Sequence, residues 1–295
     1  MTSILSLAAH SLNKAVQPCR ILTCNKGTFI RQDLEKLFHR EIDCLIVDGF
    51  LQKESLEQEQ SLMAGYHKGL LNFSANYAYW GFSCEEALRN NTVNYYYHKS
   101  ASQSLKKLRE DASPYMPWID KFRLDLDAEF PFGAHIEANH LEKRQAFIVR
   151  HRDKSMKSLI ENRMIPDSFR PQAMKAHFIA MQCLVAAEKG GHLDLYPGFL
   201  NAREHLELSQ KRLEIYPPYL PASTGLVRPY EGRLIIFNGQ IPFKFSSIEP
   251  RVIQKQSSKK EESKKEEPLI LYKDQVMMES YIIYNGDNKA LTIMR

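Results

Sequence analysis

The stretch "EGRLIIFNGQIPFKFSSIEP", residues 231–250, reads as two strands. A Gly turn leads into the apolar run Leu234, Ile235, Ile236, Phe237, a polar tip follows at Asn238, Gly239 and Gln240, and a second run begins at Ile241. Runs of the same kind recur: "GAHIEANHL" (133–141), "QAFIVRH" (145–151), "KAHFIAMQCLVAA" (175–187), "GGHLDLYPG" (190–198) and "MMESYIIYN" (277–285). They are short, rich in Ile, Val, Phe and Tyr, and divided by Gly, Pro, Asn or charged turns, which predicts a sandwich or barrel.

The first 130 residues read differently. "EIDCLIVDGF" gives one short apolar strand, 44–47, turning at Asp48-Gly49. Leu51, Leu56, Leu62 and Met63 then fit one face of an amphipathic helix. A second helical stretch lies in "SASQSLKKLREDA", and Pro114 and Pro117 mark the entry of a third. The expected class is α+β, mainly β, with flanking N-terminal helices. Residues 1–40 are expected to be an N-terminal extension and 41–295 the main domain.

The chain has 295 residues, 43% of them hydrophobic, enough to bury a large core. Forty basic residues against 35 acidic leave a formal charge of +5, dispersed along the sequence, with no basic stripe carrying aromatics, so no nucleic acid is expected as a partner. Five cysteines, an odd number without CxxC spacing, fit reduced thiols rather than a disulfide framework or a zinc site. No basic n-region precedes the short apolar run at the start, and no apolar run approaches the ~18 residues of a membrane span. The expected location is cytoplasmic, without a membrane partner. The segment "QKQSSKKEESKKEEPL", 254–269, is nearly all Lys, Glu and Ser and is expected to be a charged surface insertion between two strands.

Five motifs taken in order carry a resemblance: "IDCLIVDGFLQKESL" (42–56), "WGFSCEEALRNNTVNYYYHKSA" (80–101), "EFPFGAHIEANHLEKRQAFIVRHRD" (129–153), "EKGGHLDLYPG" (188–198) and "EGRLIIFNGQIPFKF" (231–245). Together they resemble the iron(II)/2-oxoglutarate-dependent oxygenases, in the prolyl-hydroxylase-like and free-standing amino-acid oxygenase or halogenase branch. The resemblance implies a double-stranded β-helix, a jelly-roll-like barrel. It also implies a dioxygenase activity that oxidises a small molecule or a side chain, with iron(II) and 2-oxoglutarate as cofactors.

Family chemistry uses two His and one carboxylate on one face of iron. The resemblance implies His151 and Asp153 in "RHRD" as an H-x-D pair, since alternate strand residues point the same way. A second register maps Arg150 to the end of the preceding strand and puts Ile160 and Asn162 in the ligand positions, which removes both. The third ligand is absent in either register: the position after Pro242 is Phe243, and the last His of the chain is His205. His192 and His205 are the nearest substitutes, and His192, next to an inward Leu193, is expected to face outward. The cosubstrate anchor is Arg251, or Gln275 if "DQVMMESYIIYNGD" is the last barrel strand. The reading from sequence is therefore an oxygenase-like protein with impaired or unconventional metal binding, or a non-catalytic binding or regulatory protein on the same fold, with no cofactor.

Overall fold

In a computed structural model of the chain, the described residues are 18–67, 72–74, 77–80, 106–136, 148–152, 174–197, 223–246, 248, 251–253, 269–271 and 275–294. Two strands of ten residues form the centre, β7 (Ala176–Val185) and β14 (Gln275–Tyr284), paired antiparallel from Ala176↔Tyr284 to Val185↔Val276 with a bulge between Val276 and Met277. Both are buried on both faces, which explains why "AHFIAMQCLV" and "QVMMESYIIY" read as nearly continuous apolar runs rather than alternating ones.

β10 (Leu234–Asn238) pairs with the other edge of β7, then come β2 (Cys44–Val47) and β1 (Ile21–Cys24). On the far side of β14 lie β6 (Ile148–Arg152), β4 (Tyr77–Trp80) and β3 (Asn72–Ser74). β15 (Leu291–Met294) shares that edge of β14 with β6 and pairs in parallel with β5 (Ala134–Ile136). This sheet of ten strands is mixed, since β1 runs parallel to β2. A second sheet of three strands has the order β11 (Phe243–Phe245), β8 (Leu193–Leu195), β9 (Gly225–Val227). A two-stranded ribbon joins β12 (Arg251–Ile253) to β13 (Leu269–Leu271), so the charged insertion lies between the arms of a hairpin.

The large sheet separates two cores. On one face pack the helices α1 (Arg31–Phe38), α2 (Lys53–His67) and α3 (Trp118–Glu129), with a further helical stretch at 106–112. Leu34, Leu37 and Phe38 bury the apolar side of α1, and Trp118, Ile119, Phe122 and Leu126 that of α3, where the Trp118 and Phe122 rings stack at 5.3 Å. Gln60 of α2 donates to the Leu184 carbonyl at 2.7 Å and ties that helix to β7. On the opposite face, Ile179, Met181, Phe237 and Tyr281 of the large sheet meet Leu193, Leu195, Phe243 and Phe245 of the small one.

The architecture is thus mainly β, with helices on one face of a large mixed sheet. The expected jelly-roll-like barrel is met in part: two sheets face each other, but among the described residues no strand pairing closes them into a barrel. Residues 18–40 supply β1 to the sheet and α1 to the helix-side core, where Phe29, Leu34, Leu37 and Phe38 are buried. No helix among the described residues is long and apolar enough to cross a membrane.

Candidate functional site

Three of the quoted motifs, 42–56, 188–198 and 231–245, supply residues to the core between the two sheets. β11 carries Phe243 and Phe245 inward and Lys244 outward, as strand alternation requires. Phe243 is fully buried, with ring centroids 5.1 Å from Phe237 and 6.2 Å from Phe245, both edge-on. Its strand partner is Leu195. An aromatic ring closed in by two others presents no lone pair to a cation, so the position that the resemblance assigns to an iron-binding His is a piece of apolar core.

His192 faces away from that space. Its Nδ1 lies 2.9 Å from Ser246 Oγ, and its Nε2 lies 3.7 Å from Asp194 Oδ1. Asp194 also takes a hydrogen bond from Ser223 Oγ at 3.2 Å and sits 3.5 Å from Lys244 Nζ. This polar cluster lies opposite inward Leu193 and Leu195, so the outward placement expected for His192 is found and it cannot serve an ion between the sheets.

β6 fixes the position of His151 through its register. His151 stands opposite Val276, whose side chain belongs to the helix-side core, while Arg150 stands opposite Met277, which belongs to the core between the sheets. Asp153, Ile160, Asn162 and His205 lie outside the described residues. Among the described residues no three His, Cys, Asp or Glu side chains gather as a metal site.

The two candidate anchors are separated by the fold. Arg251 begins the β12 ribbon, and Gln275 begins the central strand β14. Gln275 is 1% exposed and its Oε1 has no hydrogen-bond partner. Its amide presses on Gly191: a Cβ at 191 would stand 2.0 Å from Oε1, and the Gly191 φ of +67° already favours glycine. The second glycine of the "GG" motif is therefore explained by the Gln275 side chain.

Sequence reading missed two polar groups in this interior. Glu279 is fully buried on β14, between inward Met277 and Tyr281, and the lone acid in "MMESYIIY" was its signal. His177 is buried at one end of β7, its ring edge-on to Tyr281 at 5.9 Å. A Cβ at Gly239 would lie 2.2 Å from that ring, so the polar tip after Phe237 needs a residue without a side chain. The thiols are poor nucleophiles: burial pushes Cys19 up to about 12 and Cys24 up to about 11, and raises Cys44 well above the ordinary range.

Phe243 and Gln275 do not fit an iron(II) and 2-oxoglutarate pair: the Phe243 ring offers a metal ion no lone pair, and Gln275, one of the two candidate anchors, is a neutral amide rather than a cation.

Comparison with known proteins gives a likeness of shape. The sequence matches no family model and no characterised protein. Among solved structures, an N-substituted L-amino acid dioxygenase from Burkholderia ambifaria aligns over 90% of this chain and 91% of its own, with a TM-score of 0.51 at 10% identity. A Pseudomonas putida prolyl-4-hydroxylase covers 86% of this chain and 98% of its own at 12% identity, with a TM-score of 0.38. The solved structures it resembles are iron(II)/2-oxoglutarate dioxygenases. At these identities the likeness is one of fold, and the side chains between the sheets decide the chemistry.

Proposed function

We propose that this chain is an oxygenase-like protein on a double-stranded β-helix whose site between the sheets has impaired metal binding, and that it works as a binding or regulatory protein for a small molecule. One observation carries the reading: Phe243, where the third iron ligand is expected, is fully buried against Phe237 and Phe245. Iron, where bound, would serve as the centre that activates dioxygen in this fold's enzymes; this chain's own residues supply packing and a neutral amide instead.

The test is anaerobic titration with manganese(II), a redox-inert stand-in for iron(II), followed by a search for succinate formed from 2-oxoglutarate in the presence of iron(II) and air. The expected results are weak or absent metal binding and no succinate. Stoichiometric micromolar binding with succinate formation would overturn the proposal.

A further inference from the structure

The outer face of the small sheet carries polar side chains that the space between the sheets does not use. β8 begins at Leu193, so His192 and Asp194 stand two residues apart on one side of the chain, opposite inward Leu193 and Leu195. Across the ladder, the Ser246 N–H donates to the His192 carbonyl at 2.8 Å, and the His192 N–H donates to Ser246 Oγ at 3.1 Å. The same hydroxyl lies 2.9 Å from His192 Nδ1. One edge of the imidazole is thereby held, while its Nε2 lies 3.7 Å from Asp194 Oδ1, beyond hydrogen-bond reach. Asp194 is fixed as well: it is 7% exposed, accepts from the Ser223 hydroxyl on Oδ1 at 3.2 Å, and meets the Lys244 ammonium through Oδ2 at 3.5 Å.

We propose that His192 and Asp194 bind zinc(II) on this outer face, with water completing a four-coordinate shell. Zinc bonds to imidazole nitrogen and carboxylate oxygen are about 2.1 Å long, and two such bonds spanning 3.7 Å meet at roughly 120°, near tetrahedral. The tautomer that gives Nδ1–H to Ser246 leaves the Nε2 lone pair on the Asp194 side, the arrangement in which an outer group orients a metal-binding His. The His192 side chain is 31% exposed, which opens it to ions in solution. Two protein ligands make a weak site, and Lys244 weakens it further by competing for the carboxylate. An imidazole suits zinc(II) better than manganese(II), which stands lowest in the divalent series.

Calorimetric titration of the full chain with zinc(II), and with manganese(II) as the weak-binding control, tests this. One equivalent of zinc(II) should bind with a dissociation constant below about 100 µM, about tenfold or more tighter than manganese(II). His192→Asn should remove that equivalent, and Ser246→Ala, which leaves both ligands in place, should weaken it about tenfold. Lys244→Met should tighten binding about threefold or more, because the competing cation is gone. The wild type and the Lys244 variant decide the matter even if His192→Asn does not fold. No zinc(II) binding at about 1 mM, an equivalent that survives His192→Asn, or an affinity unmoved by Lys244→Met or Ser246→Ala would overturn the inference.

Discussion

Glu59 of α2 accepts a hydrogen bond from the backbone N–H of Trp118, the first residue of α3, in the buried helix-side core. An orphan donor at a helix start is thus satisfied by a carboxylate from another helix, which also meets the positive end of the helix dipole.

That contact predicts a pH dependence. Burial pushes the Glu59 carboxyl up to about 7 from its ordinary 4.5, with the Trp118 N–H pulling in the opposite direction. Between those two values the folded state holds a proton that the unfolded state has released, so stability falls as pH rises through the window. Glu59→Gln keeps an oxygen for Trp118 and cannot ionise. It should match the wild type near pH 4 and exceed it near pH 8 by on the order of 1–3 kcal/mol. Urea midpoints of both proteins across that range check the difference, and parallel profiles would refute it.

Phe243 should behave as core. Phe243→Ala is expected to cost about 3–5 kcal/mol. Phe243→His buries an imidazole among Phe237, Phe245 and Leu195 and should cost about 2–4 kcal/mol. Among the described residues no three His, Cys, Asp or Glu side chains gather as a metal site, so manganese(II) should not raise the variant's melting midpoint. A clear metal-dependent rise would restore His151 and Asp153 as the ligand pair.

Gly191→Ala combines a left-handed φ with an overlap on Gln275 Oε1, and its expected cost is about 2–4 kcal/mol. Because the obstacle is one side chain, Gln275→Ala in the same molecule should recover part of the loss. A double-mutant cycle should give a coupling above about 1 kcal/mol. Additive effects would mean that the backbone angle alone is responsible.

Deleting residues 256–266 leaves 254, 255, 267 and 268 to join β12 to β13, a length suited to a hairpin turn. The removed residues are Gln, Ser, Lys and Glu, which offer nothing to a core, so the melting midpoint should move by less than about 2 °C. A larger loss would indicate that the charged segment docks on the fold.

Strong apolar runs made much of this fold readable before any coordinates. Strands at 44–47, 176–185, 193–195, 234–238 and 275–284 fall where Ile, Val, Leu and Phe cluster, and α3 starts after Pro117 as proline geometry requires. β1 was missed because "ILTC" is an edge strand, alternately exposed and half-buried, with too little apolar content to stand out. The outward turn of His192 was legible from alternation alone. Glu59 was not, since "LEQEQS" looks like any solvated helix face, and only the approach of α3 turns one of its acids into a buried group. Nor could sequence tell which of Arg251 and Gln275 lies in the central sheet, since that depends on long-range strand pairing.

The centre of that sheet also sets a timetable for the chain during synthesis. β14 joins β7 to β6 and β15, yet it follows β6 and β7 in sequence by about a hundred residues or more. A ribosome-bound chain that has exposed β1 through β10 can pair β10 with β7 and β2, but β6 must wait without its main neighbour. Apolar strand edges stay open through that interval, the kind of surface from which nascent chains aggregate unless it is shielded.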